Sequence, residues 1–169
     1  MIVDYVISNT GPNPISNFFA GLYADWDIGS VGDNRIDYDA NQKMGYAWNL
    51  GSPTIYAAIK QLTWGPNNLY ALENDGSSGS VNIYDGFTKN EKFTTLSTQR
   101  LQAGQAASGN DVSMTLSTGP LFITSGDSVH VAFALIAGEN LPMVIDAANA
   151  AQVKYNALGI PTAGSASAQ

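Results

Sequence analysis

Apolar and polar residues alternate along much of this chain with the two-residue period of a β-strand. The clearest example lies at residues 129–136, where valine, phenylalanine and leucine occupy every second position. Gly-, Asn- and Pro-rich stretches, which favour turns, separate the alternating segments. The same pattern predicts strands at residues 3–7, 17–27, 43–49, 54–63, 69–73, 81–84, 112–118 and 121–123.

The segment 17–27 predicts a long strand with two different faces. Phe18, Leu22 and Trp26 fall on one face, together with two alanines, and we expect this face to join the core. The opposite face carries Asp25 and Asp27 to the end of the strand, two residues apart and on one side.

Two segments have helical signals instead. Thr88 and Glu91 form the pattern of a capping box, which predicts a short helix over residues 89–97. Asn140 can cap a second helix over residues 141–158, where apolar residues recur at helical spacing until Gly159 ends the pattern. Residues 99–110, rich in Gln, Ala and Gly, predict a loop.

Strands dominate, and no regular strand–helix–strand alternation indicates a parallel α/β sheet. We therefore predict a mainly β fold, an antiparallel two-sheet β-sandwich with a C-terminal helix packed on it and one short additional helix. Residues 1–158 would form this single domain, and residues 159–169 a small-residue linker or tail. Because Met1 leads directly into a strand pattern without a basic region, we predict no signal peptide and a piece of a larger protein.

The negative net charge of the chain limits the classes of partner that it can bind. The net charge is -7, and only seven Lys and Arg residues are scattered along the chain. Nucleic acid binding needs a basic face, so it is not expected. No apolar run approaches the roughly 20 residues of a membrane-spanning helix. The chain has no cysteine, which excludes disulfides and thiolate chemistry.

Acidic residues are concentrated in one segment. Five of the 14 fall between residues 21 and 41, with Arg35 as the only cation among them. Such density favours a counterion, and Ca²⁺ prefers about six to eight oxygen ligands. The candidate ligands are Asp25, Asp27, Asp33, Asn34, Asp37 and Asp39. The spacing does not fit an EF-hand, because Ile36 falls where its bidentate Glu belongs, so turn formation by Asp and Asn is the alternative.

Aromatic residues give a second hypothesis, a carbohydrate-binding surface on which aromatic rings stack against sugar rings. The alternative for each tryptophan is core packing. Trp26 lies on the apolar side of its strand and is predicted to be core, whereas Trp48 and Trp64 lie near turns and fit either role.

The sequence gives two possible catalytic arrangements, and neither has the geometry that catalysis needs. Gly126-Asp127-Ser128 resembles a hydrolase nucleophile block, but the only histidine, His130, follows two residues later on the same predicted strand. A tight turn is the better interpretation. Asp25 and Asp27 as a glycosidase pair would share one environment, which leaves little to separate their pKa values. We predict that the chain is not an enzyme.

Several segments together resemble a known domain. Residues 17–29 carry the pattern G-L-x-x-D-W-D-I-G, and residues 85–88 and 91–93 a short helix with its lead-in. Residues 119–123 and 125–134 form a closing hairpin pattern, and residues 140–155 a final helix. This set is similar to the accessory domain that follows subtilisin-like protease units in large secreted bacterial proteins, many exported by the type IX pathway.

The resemblance implies a non-catalytic accessory or structural module, located outside the cell or on its surface. Its partners would be the parent-chain protease or other domains, and cell-surface glycan in the carbohydrate-binding alternative. Calcium bound by the acidic segment, a prediction from the residues and independent of the resemblance, would act as a stabilising ion. The sorting domain that would normally follow such a module is not found after residue 155.

Overall fold

The computed structural model describes residues 1–160, and within them the chain forms eight β-strands, two α-helices and one short 3-10 turn. The first strands along the chain are β1 (Ile2–Ser8), β2 (Ile15–Trp26), β3 (Asn34–Asp39), β4 (Met44–Asn49), β5 (Tyr56–Gln61) and β6 (Asn68–Glu73). The 3-10 turn Ser77–Gly79, α1 (Lys89–Ser97), β7 (Val112–Ile123), β8 (Ser128–Gly138) and α2 (Leu141–Asn156) follow.

The strands form two antiparallel sheets. The larger sheet has the order β1-β8-β5-β4-β3, and the smaller has the order β2-β7-β6. One main hydrophobic cluster lies between them and takes residues from both, including Ile36 and Ile59 of the larger sheet and Leu69 and Met114 of the smaller. The predicted β-sandwich with two helices is thus confirmed.

The long strand β2 divides its faces as its sequence predicts. Phe18, Leu22 and Trp26 pack against the central cluster. Asp25 lies on the other face, where its carboxylate accepts a hydrogen bond from Ser113 of β7. The alternation of side chains along an extended strand alone accounts for this division.

Each helix packs on the outer face of one sheet. α1 begins with the predicted capping box, in which Thr88 and Glu91 bond reciprocally, and it contacts the three-stranded sheet, where Ser117 donates to the Leu96 carbonyl. α2 begins at the Asn140 cap and lies on the five-stranded sheet, where Val144 packs on Met44 and Ala58. The helix ends at Asn156, and Leu158, predicted to continue its apolar stripe, is exposed.

Two predictions of local structure were wrong. Residues 81–84 do not form a strand and make only an isolated bridge, from Asn82 to Asp75. Residues 34–39, predicted as part of an acidic loop, form strand β3. In β3, Ile36 enters the core with no exposed surface, while Asp37 points to the other face.

The segment 99–110 also does more than connect elements. Its backbone pairs with β6 at Arg100 and with β3 at Ala103 and Asn110. Because β6 and β3 are edge strands of different sheets, this segment covers both edges and closes one side of the sandwich.

Among residues 1–160, none of the helices combines the length and the apolar character needed to cross a bilayer. The predicted tail at residues 159–169 lies almost wholly outside the described residues.

Candidate functional site

α2 covers only part of the outer face of the five-stranded sheet. Beside its first turns, three aromatic side chains of β4 and β5 lie close together, and we call Tyr46, Trp48 and Tyr56 the aromatic patch. Strand register places them there: Trp48 pairs with Tyr56, and Tyr46 pairs with Ala58 on the same face. All three side chains are half-buried.

The three rings of the aromatic patch lie in contact with one another. The ring centroids of Trp48 and Tyr56 are 6.0 Å apart with an interplanar angle of 15°. Tyr46 lies 5.7 Å from Trp48 and 6.4 Å from Tyr56, with ring planes tilted by 31° and 37°. Rings at these separations contact one another, so the three side chains form one aromatic cluster rather than three separate groups.

Polar side chains of β3 border the aromatic patch. Arg35 is the cross-strand partner of Trp48, and Asp37 that of Tyr46. The Asp37 carboxylate is held in place, since Oδ1 accepts from the Tyr38 amide at 2.8 Å and Oδ2 accepts from Gln102 Nε2 at 3.2 Å. The apolar surface therefore has an edge of fixed hydrogen-bonding groups.

The hydroxyl group of Tyr46, the cross-strand partner of Asp37, is uncharged at neutral pH. Burial, together with the negative charges of Asp37 and Asp39, raises the pKa of Tyr46 above its ordinary value of 10.0. At neutral pH its hydroxyl is a donor and acceptor, and the Asp37 carboxylate is an acceptor only. This arrangement suits an uncharged ligand with an apolar face and several hydroxyl groups.

The predicted acidic ligands are spread over different places. Asp25, at the end of β2, joins a polar network on the three-stranded sheet, where its Oδ1 accepts from Ser113 at 2.8 Å and from Asn74 at 3.1 Å. Asn74 also donates to Asp111 at 2.7 Å. The Tyr84 hydroxyl also donates to Asp111, and this hydrogen bond raises the pKa of Tyr84 to about 12. Asp25 thus helps to fix the strand ends.

The other predicted ligands serve the β2–β3 connection and β3 itself. Asn34 is fully buried; it accepts from the Ile28 amide at 3.2 Å and donates to the Ser30 carbonyl at 2.8 Å and to Asp33 at 3.3 Å. Asp39 caps the β3–β4 turn by accepting from the Gln42 amide at 3.0 Å. Asp27 is exposed just after β2.

These six side chains do not converge on one point. Within residues 1–160, no three His, Cys, Asp or Glu residues are placed so that they could share a metal ion. Asn34 uses both ends of its amide on local backbone and side-chain partners, and Asp39 uses a carboxylate oxygen on the turn. In the arrangement described, these oxygens serve hydrogen bonds of the turn and of β3.

Calcium binding by the acidic segment stays a prediction, which thermal unfolding tests. An ion that binds only the folded state, at 100 times its dissociation constant, adds about 2.7 kcal/mol to the free energy of unfolding. The prediction expects a higher Tm in millimolar CaCl₂ than in EDTA for the wild type, and a smaller rise for Asp33→Asn. MgCl₂ is the control for general ionic effects. Equal Tm values in CaCl₂ and EDTA would contradict it.

Sequence reasoning identified one member of the aromatic patch and missed two. Trp48 was a candidate, Trp26 is core as predicted, and Trp64 is 76 % exposed. Tyr46 could have been found, because it stands two residues before Trp48 on a predicted strand and so shares its face. Tyr56 could not, since only the pairing of β4 with β5 brings it to Trp48.

Comparisons with models of known protein families, with curated proteins and with solved structures gave no match to this chain.

Proposed function

We propose that this domain is a non-catalytic recognition module of a secreted or cell-surface protein, and that it binds carbohydrate through the aromatic patch. The observation that carries the proposal is the stacked arrangement of Trp48 and Tyr56 beside Tyr46, three partly exposed rings on the outer face of the five-stranded sheet next to α2. A pyranose has an apolar face of C–H groups and a rim of hydroxyls. The patch offers the matching surface, aromatic in the middle and polar at the edge.

The polar edge supports an uncharged sugar as the ligand. A carboxylate such as Asp37 accepts strong hydrogen bonds from hydroxyl groups. Its position is fixed by Tyr38 and Gln102, so little side-chain entropy is lost on binding. On the Tyr46 side of the patch, the negative charge of Asp37 disfavours an anionic ligand, and the net charge of -7 adds to that effect.

The accessory role rests on the resemblance to a domain that follows subtilisin-like protease units, which is carried by residues 17–29, 85–88, 91–93, 119–123, 125–134 and 140–155. In such a protein, glycan binding would hold the protease at a cell surface or at its substrate. The arrangement around the only histidine agrees with a non-catalytic role. His130 Nδ1 lies 3.4 Å from both carboxylate oxygens of Asp4, and among residues 1–160 no serine hydroxyl is bonded to His130.

Replacing Trp48 by alanine tests the proposal. We expect the wild type to bind a neutral oligosaccharide on a glycan array and in calorimetry, and Trp48→Ala to bind it at least about tenfold more weakly, because the broadest stacking surface is lost. Trp64→Ala is the matched control. Trp64 is the more exposed tryptophan and lies outside the aromatic patch, so its removal should leave neutral-sugar affinity unchanged.

Circular dichroism must confirm that both variants remain folded. Wild-type affinity of Trp48→Ala for every glycan bound would remove the aromatic patch from the mechanism. Turnover of ester or peptide substrates by the isolated chain, abolished in Ser128→Ala, would contradict the non-catalytic assignment and support a small hydrolase.

A further inference from the structure

A cleft with two lysines in its wall lies at the other end of α2. It is a cleft of about 470 Å³ between the β3–β4 turn, the end of β5 and the last turns of α2. We call it the lysine cleft, because Lys43 and Lys60 both line it. Trp64 stands among its lining residues with 76 % of its surface exposed.

The two lysines are fixed by the backbone rather than by carboxylates. Lys43 Nζ donates to the Gly65 carbonyl at 2.7 Å, and Lys60 Nζ donates to the Gln42 carbonyl at 2.6 Å. Neither lysine forms a salt bridge within residues 1–160. An ammonium group has three donors, so each keeps donors beyond its one carbonyl bond.

This concentration of positive charge is unusual for the chain. Only seven Lys and Arg residues occur against 14 Asp and Glu, yet two of the seven meet here. Lys60 is buried, with only 6 % of its surface exposed. Burial and the positive charge of Lys43 lower the pKa of Lys60, whereas the negative charge of Asp39 raises it. Burying the Lys60 ammonium group near a second, partly exposed lysine is costly, and a bound anion would lower that cost.

Amide side chains complete the wall on the helix side. Gln42 donates to Asn149 at 3.1 Å, and Gln152 donates to the Leu62 carbonyl at 2.9 Å and to Asn156 at 3.0 Å. These bonds hold the amides in place and leave other donor and acceptor positions for hydroxyl groups. The cleft therefore combines two ammonium groups, several amides and an exposed indole ring.

We propose that the lysine cleft binds an acidic saccharide, with the carboxylate or sulfate of the sugar at Lys43 and Lys60 and a neighbouring ring against Trp64. Inorganic anions would use the lysines alone, whereas a sugar also uses the amides and the indole. The site lies apart from the aromatic patch and takes ligands of a different charge. It goes beyond the proposed function, and the two can succeed or fail separately.

Calorimetry on the full chain with three probes tests this proposal: a trigalacturonate, its uncharged galactose counterpart and a sulfated galactose oligosaccharide. In the Trp48→Ala chain, which lacks neutral-sugar binding at the aromatic patch, we expect the acidic sugars to bind and the neutral one to bind at least about tenfold more weakly. Lys43→Gln should weaken binding of the acidic sugars at least about tenfold, and so should Trp64→Ala. Raising the salt concentration should weaken binding of the acidic sugars in the wild type.

Two controls separate the sites. Lys89→Gln removes an exposed lysine of α1, far along the chain from the cleft, and should not change affinity. Trp48→Ala should leave acidic-sugar binding intact, whereas Trp64→Ala should leave neutral-sugar binding at the aromatic patch intact. Because Lys60 is buried, Lys60→Met is included only if circular dichroism shows the native fold.

The outcomes are distinct. No binding of either acidic sugar, or unchanged affinity in both Lys43→Gln and Trp64→Ala, would overturn the lysine cleft as a binding site. Inorganic sulfate binding as tightly as the sulfated sugar would overturn the saccharide assignment. Preference for the carboxylated over the sulfated probe, or the reverse, identifies which acidic group the cleft accepts. Acidic-sugar binding that depends on Trp48 instead would place that ligand on the aromatic patch and contradict this inference.

Discussion

Replacing Arg100 by alanine is expected to lower the free energy of unfolding by about 3–5 kcal/mol. Arg100 forms an ion pair with Glu73, whose side chain is only 4 % exposed. Its guanidinium also donates to the carbonyls of Ala71 at 2.8 Å and Gln102 at 2.9 Å. The substitution would leave the buried Glu73 carboxylate without its main counter-charge, and this uncompensated buried charge accounts for most of the destabilisation.

Urea unfolding, followed by fluorescence and circular dichroism, measures this effect. The double variant Arg100→Ala, Glu73→Gln should recover part of the loss, because the amide is neutral and can still accept from the Gly104 amide, now 2.9 Å from Glu73 Oε1. Lys154→Ala, an exposed lysine of α2, is the control. A loss below about 1 kcal/mol would class the pair with exposed salt bridges of small effect.

Replacing Gly104 by alanine is expected to destabilise the fold by about 2–5 kcal/mol, summed from two terms. Gly104 has φ of 71°, a left-handed conformation that costs an alanine about 1–2 kcal/mol. In addition, a Cβ at this position would overlap the carbonyl oxygen of Asn34. Because that oxygen belongs to backbone paired with Asn110, the chain must shift, at about 1–3 kcal/mol.

Replacing Gly79 by alanine distinguishes the backbone cost from the steric cost. Gly79 has nearly the same φ, 76°, but nothing lies within 4 Å of the position its Cβ would take. Gly79→Ala should therefore carry the backbone cost alone and unfold at a higher urea concentration than Gly104→Ala. Equal midpoints for the two variants would mean that the 99–110 segment accommodates the methyl group, against the tight approach to β3.

Both predictions concern the segment 99–110, which sequence reasoning treated as a loop. The segment makes isolated bridges to two sheet edges rather than a regular ladder. It therefore needs no alternation of apolar and polar residues, and its Gln-, Ala- and Gly-rich composition does not indicate a strand. Glu73 and Arg100 are 27 residues apart, so no local pattern relates them. Their pairing requires β6 and the segment to be already in place.

Strand β3 was missed for a different physical reason. Its inward positions include Asn34, which is fully buried but polar, and its outward positions carry Asp37 and Asp39. The usual contrast between apolar and polar sides is therefore weak, and the acidic residues resemble a turn-forming loop. Asn34 is tolerated inside because its amide is satisfied by Ile28 and Ser30.

The sequence by itself determined the fold class, both helices with their N-terminal caps, and the core face of β2. All of these depend on the spacing of side chains along a few turns or strand residues, and such spacing is local. The tertiary structure decided which sheet each strand joins, and with it the meeting of Trp48 with Tyr56 and of Lys43 with Lys60. Those contacts arise from strand order and register between segments distant in the chain, and one sequence does not encode them in any repeating pattern.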